Sequence, residues 1–267
     1  MTAAIPVLPV SPPAVTADLD WLRLPMPGEP FAGCDGCAPP PPGSRLARGD
    51  EHAVGWYRWI LGHQLVFCVW RLMCDYLSRA SAGDPLAELY DAYTALLLYA
   101  GSCTEPVYAA TIRSRMAACH PGFTGTWARD HERLRELLSQ VRLAADDRLK
   151  RAVRFNRLVH MAVARRLVPS GGSLRHESGN RASVTTDADR DRLDWFFRTE
   201  RAPVCRHEFD GQLTRRIVLA LTDIATRPVP ARYDREEINR FQAGLAGHIE
   251  PLPRLAALAP SAGSRDD

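Results

Sequence analysis

No run in the 267 residues approaches the roughly eighteen uncharged apolar residues that a membrane-spanning helix requires. No charged segment followed by an apolar core opens the chain either, so the expected protein is cytoplasmic and has no membrane partner. Alternating apolar and polar residues are almost absent and no internal repeat is present, which excludes sheet-rich and solenoid architectures. Charge of one sign is also scarce. With 34 basic and 31 acidic residues the formal net charge is only +3, too little to make nucleic acid the main partner, although arginine greatly outnumbers lysine. Seven cysteines are an odd count, and Cys68, Cys74, Cys103 and Cys119 fall within apolar helical patterns, so reduced, packed thiols are expected. Cys34 and Cys37 form a CxxC pair, but no second pair follows at finger spacing. The expectation there is a loop pair of thiols without metal. Cys205-Arg206-His207, two potential ligands lacking partners, reads as the start of a helix.

What is present is ordinary for a globular protein: 46% hydrophobic and 24% charged residues. Residues 1–45 are Pro-rich, culminating in Pro39 to Pro42, and suit an extended arm with Trp21, Leu22 and Phe31 as anchors for docking. Residues 46–260 read as one all-α domain, and 261–267 as a disordered tail. Asp50 to Leu77 lacks Pro and is apolar on nearly every face, as a buried helix would be. Ser81 to Pro85 stops it and starts a second helix to Ala100. A third, capped by Thr104, carries Tyr108, Arg113 and Arg115. Further helices are expected over 128–141, 145–168, 187–198, 208–227 and 234–258, with a lid-like loop between 169 and 186.

Two histidines stand out. His63 lies at the centre of the first helix, and helical spacing places Trp59, Ile60, Val66, Phe67 and Trp70 on its side. A titratable ring enclosed by aromatics needs a hydrogen-bond partner or a chemical task. His160 lies on the apolar side of its helix near Val153, Val163, Ala164 and Leu167, with Arg154, Arg157, Arg165 and Arg166 around it. From residues alone, packed core histidines and functional ones both fit, and the arginines fit a solvated face.

Three segments resemble the haem-dependent aromatic oxygenases of the tryptophan 2,3-dioxygenase superfamily, in that family's order. His63-Gln64 followed by Trp70-Arg71-Leu72-Met73 is similar to its distal helix. Ser102 with Tyr108, Arg113 and Arg115 is similar to its serine-containing helix, and His160, Arg166-Leu167 and Gly171-Gly172-Ser173 to its haem-ligating helix and the loop after it. The runs WLRLP, GWYRWILGHQ, LLLYAGSCT and RRLVPSGGSL most resemble the bacterial haem-dependent L-tyrosine 3-hydroxylases. Cys68-Val69-Trp70 stands where the dioxygenases have Glu-Leu-Trp, and the spacing from His160 to the glycines is shorter than theirs.

The resemblance implies a single helical domain with haem b (iron protoporphyrin IX) between the His63 and His160 helices. It implies hydroxylation of L-tyrosine to L-DOPA with hydrogen peroxide in natural-product biosynthesis, by a homodimer. His160 is then the iron ligand, with His176 and His120 as alternatives, and His63 the catalytic acid and base. Arg113, then Arg115, would clamp the amino-acid carboxylate. Ser173, Tyr57, Trp59 and Phe67 would contact substrate, while Arg157, Arg165 and Trp70 would contact the haem. Two other readings remain: the same fold acting on another aromatic amino acid, such as tryptophan or a methyl-tyrosine, and a haem-free helical interaction protein.

Overall fold

The computed structural model describes residues 19, 21–28, 31–34, 36–37, 46, 49–78, 84–140, 147–179 and 184–259. The Pro39 to Pro42 run, Ser81 to Gly83 and the tail from 260 lie outside them.

Helix α1 (Glu51–Leu77) begins where the sequence places it, with the Asp50 carboxylate accepting from the Ala53 amide at 3.0 Å. It is buried on nearly all sides because helices surround it: α2 (Asp84–Ala100), α5 (Arg129–Gln140) and α9 (Arg206–Thr226) pack against it. Helix α6 (Asp147–Leu167) packs in turn on α2. Two glycines set these approaches. A Cβ at Gly62 would stand 2.7 Å from the Ala100 Cβ, and one at Gly101 would stand 2.5 Å from Val163 Cγ1. The absent side chains therefore let α1, α2 and α6 close together beside His63 and His160.

The third expected helix is interrupted. Between α3 (Glu105–Val107) and α4 (Ser114–Cys119) the chain widens into a π-helical turn over Tyr108–Arg113, a local irregularity frequent at functional sites. The loop after α6 contains a short α7 (Leu174–Glu177), followed by α8 (Asp187–Phe196). The long C-terminal helix expected over 234–258 is instead α10 (Glu236–Ala243), α11 (Leu245–Ile249) and α12 (Leu252–Leu258). Gly244 and Pro251 fall at the two breaks.

The only strands among the described residues are β1 (Leu24–Pro27) and β2 (Thr199–Ala202), paired in parallel with Leu24 opposite Thr199. The all-α class holds, and the ladder has a specific use. It lays the arm along the body, burying Leu22, Leu24 and Met26. No helix of the described residues is long and apolar enough to cross a membrane.

One face of α1 carries a buried polar network. Arg58 Nε donates to Asp223 Oδ2 at 2.7 Å, its Nη1 donates to Ser102 Oγ at 3.3 Å, and the Tyr99 hydroxyl donates to Asp223 Oδ2 at 3.1 Å. Pairing and hydrogen bonding of this kind offset the cost of burying these charges.

Candidate active site

His63 faces away from that network. Its Nδ1 lies 2.7 Å from the Trp59 carbonyl oxygen, which can only accept, so Nδ1 carries the proton and Nε2 keeps its lone pair. Its ring stacks on Phe197 at 4.6 Å and contacts the Trp59 ring at 4.3 Å. Burial is the main cause that pushes its pKa down to about 4, with His160 acting in the same direction. At neutral pH the imidazole is therefore uncharged.

The neighbouring Gln64 explains how Phe197 is held. Fully buried, its Nε2 donates to the Leu22 carbonyl at 2.6 Å and the Phe197 carbonyl at 2.8 Å, while Oε1 accepts from Arg216 at 3.0 Å. One side chain thus fixes the arm, the ring over His63 and α9. Arg198, directly after Phe197, has a φ of 55°, a left-handed conformation unusual for a residue with a side chain.

The aromatic group continues outward. Phe67 meets Phe197 at 5.3 Å and Trp70 at 5.6 Å, and Trp70 meets Tyr93 at 5.5 Å and His131 at 4.8 Å. His160, projecting from α6, is close enough to depress both His63 and His131. Desolvation lowers the pKa of His160 as well. His63 on α1 and His131 on α5 thus both sense His160, itself exposed on α6.

Arg113 completes it. At the end of the π turn it lies beside Tyr108, whose ring meets Trp59 at 5.5 Å. Arg113 Nη2 donates to both Glu177 carboxylate oxygens at 2.8 Å and to the Gly172 carbonyl at 2.9 Å. The guanidinium already holds a carboxylate. Gly171 and Gly179, on either side of α7, both have positive φ, at 77° and 71°.

Not every expected residue joins this group. Tyr57 lies on the Asp223 and Arg58 side of α1, where burial raises its phenol well above the usual range. Arg115 lies over the Trp56 ring at 4.7 Å and donates to the Thr111 carbonyl at 2.8 Å. Ser173 is exposed and caps α7 by accepting from the His176 amide at 3.2 Å. His120 Nδ1 accepts from the Gly122 amide at 3.0 Å, and neither His120 nor His176 is among the groups that lower His63 and His131, as His160 is. Arg157 and Arg165 are exposed on α6 and carry no ion pair among the described residues, whereas Arg166 is engaged by the Cys103 and Gly101 carbonyls. His131, Phe197 and Glu177 were not legible as site residues. His131 sits in a polar helix, and the other two reach the group only through tertiary packing.

The donor set fits a haem-type group. Neutral imidazole is the ligating form, flat aromatic side chains adjoin it, and the Trp59 indole Nε1 is buried without a hydrogen-bond partner.

An all-helical protein with this constellation is suited to oxidise an amino acid at a haem-type cofactor. The family model described as SfmD 3-methyl-L-tyrosine peroxygenase matches residues 13–156, more than half of the chain, and the protein belongs to that family of peroxide-using oxidoreductases. The match takes in His63, Trp70, Arg113 and His131 and ends just before His160. No curated protein matches the chain.

Proposed function

We propose that the protein is a haem b peroxygenase that hydroxylates L-tyrosine at the ring 3-position, giving L-DOPA and water from L-tyrosine and hydrogen peroxide. The observation that carries this reading is the grouping of His63, His160 and a carboxylate-holding Arg113 around one aromatic cluster. Haem, when bound, supplies the iron at which peroxide is activated for oxygen transfer. His160 would hold that iron through a neutral imidazole nitrogen, with Arg157, Arg165 and Trp70 beside the macrocycle.

His63 then serves as the proton carrier. Its Nε2 takes a proton from the peroxide and returns it to the departing oxygen, while the Trp59 carbonyl keeps Nδ1–H in place. Arg113 receives the substrate's α-carboxylate in place of the Glu177 carboxylate, and the released Glu177 faces the α-ammonium. Trp59 and Phe67 flank the phenol ring.

The family's description favours a second reading, in which the ring already carries a methyl group. Product analysis of haem-loaded protein with peroxide and either L-tyrosine or 3-methyl-L-tyrosine distinguishes them. L-DOPA formed with the higher kcat/KM supports the first reading. Turnover of the methylated substrate alone replaces it with the second, and a protein that takes up no haem removes both.

A further inference from the structure

Two ligand pairs, each undiagnostic in the sequence, converge at the start of α9. Cys34 and Cys37 come from the arm beyond β1, while Cys205 is the N-cap of α9 and His207 lies in its first turn. The three sulfurs lie within 4.8 Å of one another. Cys34 Sγ is 3.5 Å from Cys37 Sγ, and Cys37 Sγ is 3.0 Å from His207 Nδ1, a residue 170 positions further on. A tetrahedral zinc ion, bound at about 2.3 Å by sulfur and about 2.0 Å by nitrogen, needs donors about 3.5–3.8 Å apart. The Cys34–Cys37 separation matches that spacing, the Cys37–His207 separation is shorter, and Cys205 lies within 4.8 Å of both arm sulfurs.

The backbone is built to bring them there. Gly36 has a φ of 84°, a left-handed conformation available without strain to glycine, and it lies in the turn between the two arm cysteines. The Ala32 amide donates to the Val204 carbonyl at 3.1 Å, and Ala32 forms a parallel bridge with Cys205, setting the arm's register beside the helix start. Cys205 Sγ accepts from the Glu208 amide at 3.4 Å, an outer contact that orients the sulfur. Between this cluster and β1, Phe31 packs edge-on against Phe209 at 5.6 Å and under Arg71 at 4.3 Å.

We propose that Cys34, Cys37, Cys205 and His207 bind one zinc ion that staples the arm to the start of α9. Three thiolates and an imidazole are a soft, zinc-selective set, and four protein donors close the coordination sphere, so the ion is structural. The staple holds the chain segment that continues from β1, whose partner β2 follows Phe197 and Arg198. It therefore supports the wall over His63 from the far end of the ladder. This replaces the expectation of an isolated thiol pair and an ordinary helix start. The sequence concealed the site because its two halves meet only through the β1–β2 pairing.

The test is zinc and iron analysis of full-length, haem-loaded protein grown with both metals and purified without chelators, followed by X-ray absorption at the zinc edge. The expected result is about one zinc per chain with three sulfur and one nitrogen neighbours. Cys205→Ser and His207→Ala should each lose zinc while keeping haem iron. A chelator or a thiol-modifying mercurial should release zinc from the wild-type protein and lower its Tm. Zinc-free wild-type protein, with peptide mapping that finds Cys34 joined to Cys37 in a disulfide or both freely alkylated, would overturn the proposal. So would zinc retained in full by both variants.

Discussion

The two faces of α1 carry buried polarity of different kinds, ionic on one and neutral on the other. On one, Arg58 is paired with Asp223, bonded to Ser102 and further satisfied by the Pro228 carbonyl at 3.1 Å. On the other, His63 is held by a single bond to Trp59, its second nitrogen is left with a lone pair, and the Trp59 indole nitrogen is unpartnered. The ion pair fixes the fold on the first face, although the Tyr57 hydroxyl and Asp223 Oδ1 there have no hydrogen-bond partner. On the second, the His63 lone pair is available for chemistry. Beside His63, the bonds of Gln64 to Leu22, Phe197 and Arg216 convert the position of the arm into the position of the ring over His63.

Exchanging the roles of the two faces should break the comparison most visibly. Asp223→Ala leaves the Arg58 guanidinium buried and uncompensated, which should cost about 3–5 kcal/mol in chemical denaturation. His63→Ala should lower peroxide-dependent turnover by roughly 10²–10⁴-fold while haem content stays intact. If Asp223→Ala were as stable as the parent, the first face would not be holding the fold.

A smaller effect belongs to Arg113. Arg113→Ala removes charge-assisted bonds worth about 1.5–3 kcal/mol, so substrate affinity should fall by about ten- to a hundredfold with haem binding unchanged. An unaltered tyrosine titration would discard the clamp.

The last effect is a pH dependence. His63 titrates at about 4 in the fold and near 6.5 when unfolded, mainly because burial penalises its charged form. Below pH 6.5 the unfolded chain therefore binds the extra proton. Stability should fall as pH drops from about 6.5 towards 4, by up to about 3 kcal/mol, and level off below that. His63→Phe should flatten that part of the stability profile, although the lowered values of His131 and His160 leave a residual slope of the same sign. An unchanged slope would show that His63 is not desolvated.

Much of this was legible in the sequence because it is local. The helix read over Asp50 to Leu77 and the i±4 neighbours Trp59 and Phe67 of His63 follow from composition and helical spacing alone. Tyr57, six positions from His63, falls on a different face, about 120° around the helix. What sequence could not supply was closure between distant segments. Phe197 reaches His63 through Gln64, Glu177 reaches Arg113 across the glycine loop, and the arm cysteines reach Cys205 through a strand pairing of only four residues. The break at Gly244 was missed because an apolar helical period continues across it. The resemblance to haem-dependent aromatic oxygenases rested on three segments, and the family match covers two of them.

The central claim is that α1 and α6 present their histidines to one cofactor from different sides, with separate tasks. It is tested most directly by optical spectra of His160→Ala and His63→Ala expressed with added haem precursor. The account predicts that His63→Ala keeps a histidine-ligated Soret band, whereas His160→Ala loses stoichiometric haem. A His160→Ala protein that retained full, normally ligated haem would contradict it.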